Sequence, residues 1–192
     1  MHMKYALILL FSVQSLFIFS QAKKTPDVFE DAYIVTLKGD TVKGQIKIPK
    51  TKKMELFQKI SFKDQANKIR LYTPDKINGY GHNSYYFISA FHNNKSCYFK
   101  VLSKGKVSLF QTGFEMIDDG VATDIVEFCA MEENSDGQFK IIDAKGIKKQ
   151  LKDLFKSNKT LVQKINEQKE ITFNAETLEA YFKEFNTTAS GN

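Results

Sequence analysis

Alternation of apolar and polar side chains over residues 32–48 is the feature that most constrains the fold of this chain. In the second half of the segment, Val42, Ile46 and Ile48 alternate with polar or charged residues, which is the period of a half-buried β-strand. The first half shows the same period, with apolar residues at Tyr33, Val35 and Leu37. Between the halves, Gly39 and Asp40 favour a tight turn. The segment therefore predicts a β-hairpin with one apolar face.

Further β-prone runs follow this hairpin and give way to helical periodicity near the C-terminus. The predicted strands are residues 56–63, 68–72, 85–91, 96–102, 106–111, 124–131 and 138–142. Residues 78–83 and 112–120 are rich in turn-forming residues and are predicted as loops. From about residue 146 to 187, apolar residues recur with the period of about three short amphipathic helices. Strands followed by helices predict an α+β fold, mainly an antiparallel sheet or a partly closed barrel.

The N-terminus has the pattern of a secretory signal peptide. Lys4 precedes an apolar run at residues 5–19, and small residues at Ser20 and Ala22 provide a cleavage site. The sequence thus predicts a signal peptide at 1–22 and a single β-rich domain at 23–192. No later apolar run reaches the roughly 20 residues of a transmembrane helix, so no such segment is expected after cleavage. We expect an exported protein of the periplasm or outer membrane.

The positive charge of the chain comes from lysine. The net charge is +6, and Arg70 is the only arginine. Because specific recognition of phosphate relies on the planar guanidinium group, nucleic acid is not expected as a partner.

Two cysteines, Cys97 and Cys129, lie in predicted strands. In an oxidising compartment they could form a disulfide, which would close a loop worth about 3–4 kcal/mol. Two free buried thiols are an equally ordinary outcome.

Catalytic and metal-binding patterns are weak. His82 and His92 are the only histidines of the mature chain, and their spacing fits no compact zinc motif. The chain contains no G-x-S-x-G, and Cys97 lies near His92 in sequence but within a strand. The sequence therefore predicts no catalytic residue, metal or cofactor. A hydrolase would require His82 or His92 within hydrogen-bond reach of an acid or thiol in a cleft.

Aromatic residues crowd the middle of the chain. They fit a large aromatic core, since such side chains dominate core energetics. They also fit an apolar pocket for a small hydrophobic ligand, with polar anchors from Tyr80, Tyr85 and Tyr98.

Several segments together resemble a family of small exported proteins of Bacteroidota with no established activity. The N-terminal part of the resemblance lies in AYIVTLKGDTVKGQIK (32–47), KISFKD (59–64) and YTPDKINGY (72–80). The rest lies in YFKVLSKGKVSLF (98–110), KKQLKDLFKSNKTLVQKI (148–165) and EAYFKEFN (179–186). The last helix ends here in Phe185-Asn186, where the family usually has Tyr-Asn. The resemblance implies export and architecture, and it brings no active site.

The tripeptide Asp40-Thr41-Val42 resembles the acceptor motif for the general O-glycosylation of exported Bacteroidota proteins. Thr41 is accordingly a candidate O-glycosylation site, although turn chemistry explains the same residues.

Two functions from different classes follow. The first is a non-enzymatic binding or accessory protein that contacts another envelope protein. The second is a carrier of a small hydrophobic ligand in an aromatic-lined sheet or barrel pocket. An exposed apolar patch on the final helix would favour the first function.

Overall fold

The structure is a computed structural model that describes residues 27–92 and 94–189. Within these residues, ten strands form one antiparallel sheet. The first five are β1 (Val28–Thr36), β2 (Thr41–Ile48), β3 (Ile60–Lys63), β4 (Ile69–Tyr72) and β5 (Ile77–His82). The others are β6 (Tyr85–His92), β7 (Lys95–Ser103), β8 (Val107–Asp118), β9 (Val121–Glu132) and β10 (Lys140–Ile142).

The strand order is β10-β9-β8-β7-β6-β5-β1-β2-β3-β4. Strands β5 to β10 form a meander, while the β1–β2 hairpin joins the sheet by pairing β1 with β5. The two ends of the sheet, β4 and β10, do not pair with each other, so the sheet is open rather than closed into a barrel. The predicted α+β class and the predicted N-terminal hairpin are both confirmed.

Three helices follow the sheet, as predicted: α1 (Ile147–Leu154), α2 (Lys159–Glu167) and α3 (Ala175–Ala189). Asparagine side chains cap two of them. Asn158 Oδ1 accepts the Leu161 backbone N–H at 3.0 Å, and Asn174 Oδ1 accepts that of Thr177 at 2.8 Å. Each cap satisfies one of the donors that a helix start leaves unpaired.

The hydrophobic core lies mainly on one face of the sheet and has two parts. The helices pack against β7–β10 with the side chains of Leu109, Phe128, Leu151, Phe182 and others. At the other half of the sheet, a short 3-10 helix (Lys53–Phe57) covers Ile34, Phe62, Tyr80 and Phe87. The opposite face holds a smaller cluster of Phe99, Phe110 and Cys129, on which Phe139 lies. Consecutive residues of β7 therefore point into different clusters, as the strand period requires.

The predicted loop at 78–83 is wrong, because most of this segment is β5. Its glycines are needed where neighbouring groups approach the strand closely. A Cβ on Gly81 would lie 2.2 Å from the ring of Tyr33, and one on Gly79 would lie 2.2 Å from the Phe87 carbonyl. Glycine in a strand interior marks such close approaches rather than a break in the sheet.

The predicted loop at 112–120 is also wrong. Strand β8 continues to Asp118 and returns directly as β9 from Val121. The two turn residues, Asp119 and Gly120, have φ of 47° and 80°. Positive φ at both central positions of a two-residue turn is the hairpin geometry that Asp-Gly favours.

The phase predicted for β1 is wrong as well. Ile34 is the core residue of this strand, whereas Leu37 lies exposed in the turn. Tyr33 points to the opposite face and stacks on Tyr86, with ring centroids 6.4 Å apart. Both faces of β1 are thus used, which alternation alone does not reveal.

The predicted signal peptide at 1–22 lies outside the described residues. Within 27–92 and 94–189, no helix has the length and apolar character needed to cross a membrane.

Candidate functional site

The three tyrosines predicted to line a ligand pocket do not come together around one. Tyr80 and Tyr98 are fully buried and contact each other edge to face, with centroids 5.0 Å apart. The Tyr80 hydroxyl donates to the Leu56 carbonyl at 2.8 Å. Tyr85 is exposed, and Lys100 Nζ lies 3.3 Å from the centre of its ring. Two of the three therefore fill the core, while the third belongs to the surface.

The two cysteines are free thiols separated by a strand. Cys97 lies on β7 and Cys129 on β9, with β8 between them. Strands two positions apart are about 10 Å from each other, which exceeds the roughly 7 Å limit between the Cα atoms of a disulfide. Burial raises the pKa of the Cys129 thiol to about 12, with a further contribution from Glu127.

Thr41 and His82 lie on opposite ends of the β1–β2–β5 region. Thr41 is exposed as the first residue of β2, where its side chain is accessible. His82 Nε2 lies 2.7 Å from Glu30 Oε2 across the β1–β5 pair. Asn83 Nδ2 also donates to that carboxylate at 3.4 Å. The histidine is thus tied to an acid, with no thiol in this cluster.

A groove of about 600 Å³ opens where β7 and β8 separate. The two strands pair from Ser103↔Leu109 to Lys100↔Gln111, and no pairing is present beyond Gln111. At this point the Thr112 hydroxyl donates to the Tyr98 carbonyl at 3.1 Å. The groove is lined by Gln58, His92, Lys95, Ser96, Cys97, Thr112, Gly113, Phe114, Glu115 and Glu127.

This groove brings together the histidine and thiol that lie near each other in the sequence. Among the residues that the structure describes, His92 Nε2 is buried and has no hydrogen-bond partner, and its acidic neighbour is Glu127, with Oε2 at 3.5 Å. Burial raises the pKa of the Cys97 thiol; Thr112 partly opposes this, and Glu127 adds to it. The thiol is therefore protonated at neutral pH, whereas a nucleophilic cysteine needs its pKa lowered.

Among residues 27–92 and 94–189, no three His, Cys, Asp or Glu side chains come together as a group that could hold a metal ion.

Beyond the groove, β8 and β9 continue as a two-stranded ribbon, residues 112–127, which we call the arm. Its residues pair with each other from Thr112↔Glu127 to Asp118↔Val121. On the outer side of β9, pairing with β10 is limited to Phe128, Cys129 and Ala130. Within the part of the chain that the structure describes, both edges of the arm are therefore free of backbone pairing.

The arm is apolar on its surface. Ile117 and Val121, which flank the turn, are 69% and 64% exposed. The register places Phe114, Met116, Val121 and Ile125 on one face and Ile117, Ala122 and Val126 on the other. An exposed apolar patch of this kind marks an interaction site more often than chance exposure.

Every charge on the arm is negative. It carries Glu115, Asp118, Asp119, Asp124 and Glu127, with no lysine, arginine or histidine, although the whole chain has a net charge of +6. Glu115 and Asp124 lie directly opposite each other in the register. Like charges in this arrangement destabilise a strand pair. Lys52 Nζ offsets the repulsion only weakly, at 3.8 Å from Glu115 and largely exposed.

Sequence reasoning missed the arm because Asp118, Asp119 and Gly120 were interpreted as part of a loop. A signal was present: Asp119-Gly120 is the strongest two-residue hairpin turn, and apolar residues alternate on both sides of it. An exposed apolar patch on the final helix would have favoured the first function, but Leu178, Phe182 and Phe185 of α3 are buried, and the arm carries exposed apolar residues instead.

Comparison of the chain with protein-family models, with curated proteins and with solved structures gave no match.

Proposed function

We propose that this chain is an exported, non-enzymatic binding or accessory protein of the periplasm or outer membrane, and that the arm is the surface it presents to another envelope protein. The observation that carries the proposal is the arm itself, an apolar ribbon with two free strand edges. The signal-peptide pattern and the resemblance to exported Bacteroidota proteins support the location.

The energetics of the arm support a role in binding. A two-stranded hairpin by itself is at best marginally stable in water. This one also carries exposed apolar side chains and a directly opposed pair of carboxylates, Glu115 and Asp124. A partner that covers the apolar residues and pairs with a free edge would remove these costs.

The groove at the base of the arm supports binding better than catalysis. It contains His92, Glu127 and Cys97, but the pKa of the Cys97 thiol is raised rather than lowered. The Thr112 hydroxyl is engaged in a hydrogen bond to a backbone carbonyl. Neither group is thus activated as a nucleophile.

The alternative function is a carrier of a small hydrophobic ligand. The packing of Tyr80 against Tyr98 in a closed core disfavours the aromatic pocket that this function needs. Native mass spectrometry of protein purified from its own host distinguishes the two. A mass excess of a few hundred daltons that is lost on denaturation would support the carrier and contradict the binding-protein proposal.

Site-specific photocrosslinking in the host tests the proposal directly. A photoreactive amino acid at Ile117 is expected to crosslink one envelope protein reproducibly. The matched control is Leu37, which is 62% exposed in the turn between β1 and β2, away from the arm in the strand order. Equal labelling from both positions, or none from Ile117, would contradict a docking role for the arm.

A further inference from the structure

The proposed function does not specify what kind of partner binds the arm. The backbone and the charge of the arm narrow the range of possible partners. We propose that the partner supplies an extended segment rich in lysine or arginine, which adds to the free edge of β8 as a further strand. This inference rests on the proposed function and adds the chemistry of the partner to it.

The edge of β8 suits strand addition. Residues 113–118 pair with β9 on one side only. Six residues of a strand span about 20 Å, and alternate residues along an edge offer unpaired N–H and C=O groups. The groove between β7 and β8 lies at the start of this edge and provides space beside Phe114 and Glu115. Strand addition to an exposed edge is an established mode of peptide recognition, in which backbone bonds provide affinity and side chains provide specificity.

Charge selects a basic segment. An incoming strand beside β8 would place alternate side chains near Glu115 on one face and near Asp118 on the other. A lysine or arginine there relieves the repulsion between Glu115 and Asp124, whereas an acidic segment would add to it.

A second copy of this chain fits the edge less well. Pairing arm to arm would bring together two segments whose charges are all negative. The two edge strands of the sheet offer few basic groups. The four-residue strand β4 has one arginine, Arg70, which lies 3.8 Å from Asp64, and the three-residue strand β10 has one lysine, Lys140, which is paired with Glu132. Short, charged edge strands are a usual protection against self-association.

The test uses the mature protein and three synthetic nine-residue peptides. The first alternates lysine with valine, the second alternates glutamate with valine, and the third repeats the first with N-methyl groups on alternate backbone amides. We expect the lysine peptide to bind, measured by fluorescence anisotropy, and the other two to bind at least about tenfold more weakly. Hydrogen exchange should show protection at residues 113–118 when the lysine peptide is bound.

Two charge-reversed variants complete the test. Glu115→Lys should weaken binding of the lysine peptide by about tenfold or more, because Glu115 lies on the strand that the peptide would pair with. Asp40→Lys, the matched control in the exposed β1–β2 turn, should leave the affinity unchanged. Circular dichroism of both variants verifies folding.

The following results would contradict the inference. Equal binding of the N-methylated peptide would mean that charge attraction acts without strand addition. Failure of the lysine peptide to bind would exclude a basic segment as the partner. Self-association abolished by Arg70→Glu would identify a second copy as the occupant. If the peptides fail while Ile117 still crosslinks an envelope protein, the proposed function stands and only the chemistry of the partner is wrong.

Discussion

Strands β8 and β9 form one continuous pair, yet its two halves have opposite surroundings. In the half nearest the helices, Leu109 and Ala130 face the helices and are fully buried, while Phe110 and Cys129 are buried on the other face. In the arm, Thr112 and Gly113 at the base are buried, but beyond them most side chains on both faces are exposed. The backbone pairing is the same along the whole length. The difference lies only in what covers each half, so stability should depend on one half and binding on the other.

The largest effect should separate the two halves on a single strand. Leu109→Ala removes a fully buried side chain and leaves a cavity, so we expect the free energy of unfolding to fall by about 2–5 kcal/mol. Ile117→Ala, eight residues further along the same strand, should change it by less than about 0.5 kcal/mol. Urea unfolding followed by circular dichroism measures both. Similar losses of unfolding free energy in the two variants would contradict the difference between the covered half and the arm.

The turn before β8, which leads into the covered half of the β8–β9 pair, depends on one polar residue of α3. Asn186 Oδ1 accepts the Val107 N–H at 3.2 Å, and its Nδ2 donates to the Val107 carbonyl at 2.9 Å. Asn186→Ala leaves these buried groups without the side chain, so we expect a loss of about 1–3 kcal/mol in unfolding free energy. The exposed neighbour Thr187→Ala is the control. An unchanged urea midpoint for Asn186→Ala would show that water replaces the side chain.

In the arm, a substitution should increase stability. Asp124→Asn removes the repulsion with Glu115 at nearly constant shape, and we expect a gain of about 0.2–1 kcal/mol in unfolding free energy. Because the effect is electrostatic and exposed, it should shrink as salt rises from about 0.05 to 1 M. The same urea experiment at both salt concentrations measures it. A salt-independent gain would point to strand propensity instead.

At neutral pH the smallest effect is that of the Cys129 thiol, because it is visible only at alkaline pH. Its pKa is raised to about 12 by burial, from an ordinary value of 9.0. Between these values the unfolded chain loses the thiol proton while the folded protein keeps it, so the free energy of unfolding falls as pH rises. Cys129→Ala should lack this part of the decline. Urea midpoints of both proteins from pH 8 to 11 test this, since the other titrating groups are common to both. Parallel curves would contradict a raised pKa.

Where turn residues and apolar period agreed, the sequence predicted the existence and type of the elements correctly. The β1–β2 hairpin, the three helices and the cap at Asn174 follow from turn residues and apolar period alone. Where glycine or acidic residues interrupted the apolar pattern, the prediction failed. Gly79 and Gly81 lie in β5 because a ring and a carbonyl approach them closely, and that reason depends on neighbours distant in sequence.

The candidate site was the least predictable part. The aromatic content indicated Tyr80 and Tyr98, which are core residues. It did not indicate residues 112–127, which contain one aromatic side chain. Nothing in the local pattern distinguishes an apolar residue that a helix will cover from one that stays exposed, since both alternate with the same period.

By itself, the sequence determined the fold class, the position of the helices and the uneven distribution of charge, because each depends on residue type and local spacing. The tertiary structure alone decided the order of the strands, the separation of β7 from β8 and the free edges of the arm. It also placed β8 between Cys97 and Cys129. These features depend on contacts between segments far apart in the chain, and such contacts are set by how the whole core packs rather than by the period of any one strand.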